Sequence, residues 1–200
     1  MSKFPYPENP APTSAELIPA IKRRWSPLAF SDEPIEPKKI KSLFEAMRWT
    51  QSSRNEQPWR IVYATKDDPE NFERLSSLLT EDNSYAKEAY LLMLICAKQN
   101  FVYKDKPNAK HQYDTGAAVH AMFLQAVDMG LVAHVMGGFD KERAPEVLEI
   151  PEDVNLLVAM AVGYPGDESK IDKVTLEERY KQSRTRKEVS EFAFKGKWEN

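Results

Sequence analysis

Three polar stretches carry the residue types that could do chemistry. The first is "RRWSPLAF", where Arg23 and Arg24 precede Ser26 in a turn. Guanidinium groups take a phosphate bidentately, and a serine hydroxyl adds a further bond. The second is "QSSRNEQPW", where Ser52, Ser53, Asn55 and Gln57 crowd into one short segment. These groups do not titrate near neutrality, and their donors and acceptors suit a planar heterocycle with carbonyls and ring nitrogens. The third is "MGGFD", where Gly137 and Gly138 follow Met136 and let a ligand approach the backbone. Each stretch has a plainer reading: surface charge, a turn closed by Ser and Asn, and a tight glycine bend.

Other chemistries lack their signatures. The chain has no GxSxG, HExxH, P-loop, paired CxxC or GxGxxG. His111, His120 and His134 lack metal-ligand spacing; His120 reads as a hydrogen-bonded core histidine and His111 as a solvated loop residue. Cys96, the single cysteine, lies within "AYLLMLICA" and reads as a packed core thiol. The net charge is -3 without a cationic block, which argues against nucleic-acid binding. The longest apolar runs are too short to span a bilayer, and no signal core opens the chain, so a soluble, cytoplasmic protein is expected.

The elements that must position these stretches follow from periodicity. At 200 residues and 42% hydrophobic, the chain can bury the core of one domain. Ile40, Leu43, Phe44 and Met47 fall on one helix face, after a short helix near Pro19. "RIVYAT" reads as a strand and "PENFERLSSLLTED" as an amphipathic helix. "AYLLMLICA" and "NLLVAMAVGYP" read as strands buried on both sides. The clearest helix is "HQYDTGAAVHAMFLQAVDMGL", with Asp114 as N-cap, Gly130 as stop, and Val119, Met122, Phe123, Ala126 and Val127 on one face. "VAHVM" is a short strand or a bend, and "PEVLEI" a short helix with Pro145 first. The mixture gives an α+β or α/β fold with a sheet between helical layers. The charged tail carries Phe192, Phe194 and Trp198, which need a surface to cover: the chain's own body or a second subunit.

Together the motifs resemble the nitroreductase family of flavin-dependent reductases. The likeness rests on Arg24-Trp25-Ser26 followed by Phe30, on Ser52-Ser53-x-Asn55-x-Gln57-Pro58-Trp59, on the long central helix, on "MGGFD" with "VAMAVGYPGD", and on "RTRK" before "FAFKGKW". It runs from about Ile18 to Trp198. The resemblance implies an α+β fold with a central, mostly antiparallel sheet flanked by helices. It implies a homodimer with exchanged C-terminal tails, built from a single domain over 1–200 with an extended leader over 1–15. The extension over 170–200 would pack on the partner.

The same resemblance implies FMN as cofactor and NADH or NADPH as electron donor. Arg24 and Ser26 would grip the phosphate and ribityl chain, with Trp25 contributing backbone. Arg186, or Arg184 as the second choice, would reach the phosphate. Ser52, Ser53 and Asn55 would reach the flavin of the partner subunit, with Gln57 ordering their loop. Met136, Gly137 and Gly138 would lie against the isoalloxazine, and Asn83 matches a flavin-contacting asparagine. Reaction would be ping-pong hydride transfer through flavin N5 to a nitroaromatic, quinone or similar small molecule, with no protein acid–base dyad. A flavin-dependent dehydrogenase or specialised reductase on the same scaffold, and a non-catalytic flavin-binding protein, are the alternatives. Two departures stand out. Leu28 occupies a position that many relatives fill with a basic residue, a charge Arg23 or Lys187 could replace. Gln51 stands where a proline usually precedes the serines. Phe101, Tyr103 and Tyr113 are candidate lid residues that could stack on an aromatic substrate.

Overall fold

Prolines stand at the first position of three helices, Pro19, Pro37 and Pro69, and at the second position of a fourth, Pro145, where the missing N–H costs nothing and φ is preset. The computed structural model describes residues 3–103, 105–171, 175, 177 and 183–198. Within them α1 spans Pro19–Arg23, β1 Phe30–Ser31, α2 Pro37–Arg48, β2 Trp59–Thr65 and α3 Pro69–Ser76. Then come β3 at Leu91–Lys98, α4 at His111–Asp128, β4 at Val132–Met136, α5 at Ala144–Val147 and β5 at Val154–Pro165. Short 3-10 turns cover Ser53–Asn55 and Glu81–Glu88.

The five strands form one antiparallel sheet in the order β1-β5-β3-β2, and β4 also pairs with β5. β3 alternates cleanly. Leu91, Met93 and Ile95 enter one core with Leu43 and Met47 of α2 and Val119, Met122 and Phe123 of α4. Leu92, Leu94 and Cys96 enter a second core with Leu75 of α3, Met136 and Phe139. Helices therefore cover both faces, and the apolar run of β3 is the expected α+β solution even though its neighbours are antiparallel. Cys96 is 1% exposed, a core thiol as expected.

Several local expectations change. The helix expected over 69–82 ends at Ser76, because Leu79 is drawn into a β-bridge with Phe139. Asp114 does not cap α4; the N-cap is Lys110, and Asp114 is turned to another partner described below. Gly130 does end α4: at φ 74 it supports two backward bonds, Gly130 N–H to Val127 O at 3.1 Å and Leu131 N–H to Ala126 O at 2.8 Å. His120 is exposed rather than core. His111 is held, not solvated, its Nδ1 2.6 Å from Asn108 O and its Nε2 2.7 Å from Asn155 Nδ2. Residues 3–14 form neither helix nor strand but pack on the body, with Trp25 Nε1 donating to Pro7 O at 2.8 Å. Of the extension over 170–200, residues 172–174, 176, 178–182 and 199–200 lie outside the described residues. Within the rest, Phe194 packs on Trp198 at 5.1 Å between ring centroids, while Phe192 and Trp198 remain exposed.

Candidate functional site

α1 is only five residues long, and at Arg24 the backbone leaves the helix (φ -57, ψ 122). The following Trp25 is buried beside Leu28, so its indole is part of the core. That geometry throws the half-buried Arg24 guanidinium over the Phe123 ring, 5.5 Å from its centroid. Arg184 and Arg186 stand close by. Burial first, then the charges of Arg184 and Arg186, holds Arg24 below the ordinary guanidinium range. Burial and then Arg186 do the same to Arg184. Guanidinium groups stay protonated regardless, so the shifts report a site where positive charge is crowded. Among the described residues, no ion pair engages any of the three. Arg184 donates to Asn9 O at 2.8 Å and Lys22 O at 3.3 Å, joining tail, leader and α1. Arg186 is exposed and donates to Thr185 O at 2.6 Å. The buried Tyr6 hydroxyl has no hydrogen-bond partner there, although Arg23 lies 4.6 Å from its ring centroid.

The end of β4 forms the second element. Met136, Gly137 and Gly138 border an open cleft of about 600 Å³ together with Thr80, Asn83 and His134. Asn83 is 9% exposed. Its Nδ2 donates to Gly138 O at 2.8 Å and to Thr80 Oγ1 at 3.1 Å, and Thr80 Oγ1 also donates to Gly138 O at 3.2 Å. Tyr85 OH donates to Asn83 Oδ1 at 3.3 Å. Asn83 thus fixes the course of the glycine segment. A Cβ on Gly138 would lie 2.8 Å from Asn83 Nδ2 and 2.9 Å from Thr80 Oγ1, whereas one on Gly137 meets nothing within 4 Å. His134 Nδ1 lies 3.1 Å from Pro27 O and ties β4 to the segment that follows Ser26. Leu28, 4% exposed, lines an adjoining cavity of about 520 Å³, so the departure noted above puts a core side chain there and no charge.

The amide-rich loop is the third element. Arg54, Asn55 and Gln57 all have left-handed backbones, at φ 55, 57 and 50. Such strain persists only where neighbours fix it. Here Asp114, 3% exposed, accepts the Ser53 N–H at 2.9 Å. Ser52 Oγ accepts the Gln57 N–H at 3.0 Å, and Gln57 Nε2 donates to Asn55 O at 3.0 Å, so Gln57 makes two bonds within the loop. Asn55 itself is exposed on the protomer. Glu56 Oε1 accepts the Val102 N–H at 2.6 Å and couples the loop to the segment carrying Phe101 and Tyr103, whose rings meet edge-on at 5.9 Å. Tyr113 is exposed in the first turn of α4.

Within the protomer the first two elements are linked through His134 and Pro27, and the third stands apart. Ser53 is anchored at Asp114, whereas Arg24 lies over Phe123, nine residues and about 13 Å further along α4. On the sheet, Met136 pairs with Ala159, while Trp59 pairs with Ala97, itself opposite Asn155. That offset is about 13 Å along the strands and about 14 Å across three strand spacings. Tyr6, Thr80, His134 and Phe123 were not foreseen. Tyr6 gave only the signal of an aromatic flanked by prolines.

Comparison with known proteins follows the same lines. The Nitroreductase family model matches residues 21–164. An uncharacterised 15.4 kDa protein of Mycolicibacterium smegmatis is 37% identical over 132 residues, covering 66% of this chain and 86% of that protein. The FMN reductase [NAD(P)H] of Bacillus subtilis is 24% identical over 171 residues, covering 77% and 68%. A crystal structure described as an oxidoreductase containing FMN superposes with a TM-score of 0.87 at 32% identity, covering 94% of this chain and 95% of that one.

Proposed function

The chain belongs to the nitroreductase family, and from that premise we propose that it is an FMN-dependent oxidoreductase that draws electrons from NADH or NADPH. The observation that carries the reading is the cluster of Arg24, Arg184 and Arg186, crowded and without an acidic partner among the described residues. A phosphate monoester supplies the missing counter-charge with bidentate geometry. The names of the Bacillus subtilis relative and of the superposed crystal structure point to the same cofactor.

The residues fit that group. Arg24, with Arg184 and Arg186, would hold the phosphate, and Ser26 would add a hydroxyl beside it. Met136, Gly137 and Gly138 would take the ring, because Asn83 and Thr80 fix the segment and Gly138 carries no Cβ to obstruct it. Bound FMN supplies hydride acceptance and donation at N5. The protein's part is to bind, orient and exclude water. Asn55 and the backbone of the 52–57 loop would offer neutral donors and acceptors near the ring. Since that loop lies far from Arg24 on its own protomer and is exposed, a second copy would deliver it, in a homodimer. Leu28, Ala29 and Phe30 give the adjoining cavity one apolar wall, against which a nitroaromatic or quinone acceptor would lie, while Glu81, Asp82, Glu88, Asp167 and Lys170 make much of the rest of its lining polar. We place the enzyme in the cytoplasm; no helix among the described residues is long and apolar enough to cross a membrane.

The test is direct. Purified protein should be yellow, bleach anaerobically on adding NADH or NADPH, and regain colour on adding a quinone. A colourless protein that FMN cannot reconstitute overturns the reading.

A further inference from the structure

We infer that Tyr6 and the N-terminal leader complete the phosphate end of the cofactor site, with the Tyr6 hydroxyl donating a hydrogen bond to the phosphate beside Arg24. The inference rests on the FMN reading above and adds a residue and a segment to it. A buried hydroxyl without a partner costs free energy, and the Tyr6 hydroxyl is one of two such side-chain groups among the described residues. Its surroundings explain what it needs. Arg23 lies over its ring at 4.6 Å from the centroid, and the charges of Arg23, Arg24, Glu8 and Arg184 all act on the hydroxyl, while the Glu8 carboxylate makes no hydrogen bond with it. Guanidinium groups are donors only, so they cannot take the Tyr6 proton. A phosphate oxygen held by Arg24 is an acceptor that satisfies both at once.

The leader is built to keep Tyr6 there. Trp25 Nε1 holds Pro7 O at 2.8 Å, Arg184 holds Asn9 O at 2.8 Å, and Ala11 N–H donates to Lys22 O at 2.8 Å. Two of these ties come from or adjoin the residues assigned to the phosphate. Tyr6 also packs against Trp25 and Leu28, which fixes its ring. Residues 6–11 are therefore a strap over the anion site, fastened on both sides.

The experiment compares FMN with riboflavin, which has the same ring and no phosphate. Apo protein is titrated with each by flavin fluorescence, for the wild type, Tyr6→Phe and Arg24→Gln. Tyr6→Phe should weaken FMN binding about tenfold or more, the loss of one hydrogen bond to a charged group, and leave riboflavin binding unchanged. Equal affinities of wild type and Tyr6→Phe for FMN, with Arg24→Gln weakened, overturn the inference and leave the FMN reading intact. Hydrogen exchange on the wild type needs no variant: amides of the leader segment 6–11 should gain protection with FMN and with inorganic phosphate, but not with riboflavin. Equal protection by FMN and riboflavin overturns the inference. A wild type that binds no flavin yet shows phosphate protection of the leader removes FMN and keeps the anion site.

Discussion

Gly138 and Gly137 are adjacent, yet alanine at the two positions should behave in opposite ways. At Gly138 a Cβ would sit 2.8 Å from Asn83 Nδ2 and 2.9 Å from Thr80 Oγ1. Both atoms are bonded to Gly138 O, at 2.8 and 3.2 Å, so neither can retreat without breaking its bond. Two lost hydrogen bonds cost about 1 kcal/mol each, and leaving the buried Asn83 amide short of a partner brings the sum to roughly 2–3 kcal/mol. For a chain of this length that lowers the melting temperature by about 5–10 °C. Gly137→Ala meets nothing within 4 Å and should change stability by no more than about 0.5–1 kcal/mol. Thermal melts of both apo variants provide the assay, and flavin retained per protein after desalting provides a second reading. Gly138→Ala should lose both stability and flavin. If Gly138→Ala melts with the wild type, or Gly137→Ala falls as far, the packing account of this segment is wrong.

The loop should respond to Asp114. Asp114→Ala removes the acceptor of the Ser53 N–H, worth about 1.5–3 kcal/mol for a bond to a buried carboxylate. Trypsin should then cut faster after Arg54, and unchanged cleavage would refute the anchoring role. Glu56→Ala should leave global melting nearly unaltered but raise the exchange rate of the Val102 amide about tenfold, since its 2.6 Å bond is local; an unchanged rate rules out the coupling. Burial pushes the Cys96 thiol up to about 11. The folded pKa is raised, so this contribution is full below about pH 9 and is lost as pH rises toward 11, at up to about 1.4 kcal/mol per pH unit. The stability gap between wild type and Cys96→Ala, from urea melts, should therefore narrow across that window. A gap that stays constant would mean the thiol is not so buried.

What could be read in advance followed from local pattern. Leu91 to Ala97 and Val119 to Val127 announce their elements because burial on fixed faces imposes a period on the sequence itself. Leu79 escaped that logic, since its bridge to Phe139 reaches sixty residues ahead. Asp114 looked like a cap from its neighbours, but its partner Ser53 is 61 residues away. His111 is paired with Asn155, 44 residues on. For the site, residue types were legible and grouping was not. Nothing in "QSSRNEQPW" reveals that its anchor lies about 13 Å along α4 from Arg24's resting place. Tyr6 was hidden for the same reason: its burial depends on Trp25 holding Pro7 from 18 residues away.

The backbone of the 52–57 loop bears on why that separation exists. Three non-glycine residues in left-handed conformation cost on the order of 1 kcal/mol each, less at Asn55 than at Arg54 or Gln57. The bonds that hold them are of similar worth: the Asp114–Ser53 bond about 1.5–3 kcal/mol, and the two made by Gln57 about 1 kcal/mol or less each, the second being exposed. The loop therefore roughly breaks even within its own protomer. Glycines would give the same course with less strain, so protomer stability does not account for the side chains at these positions. What the conformation does achieve is to set Ser52, Ser53 and the exposed Asn55 on a rigid base at the surface. A base that costs as much as it returns is explained by what it presents, and its anchor at Asp114 lies about 13 Å along α4 from the Arg24 guanidinium of its own chain.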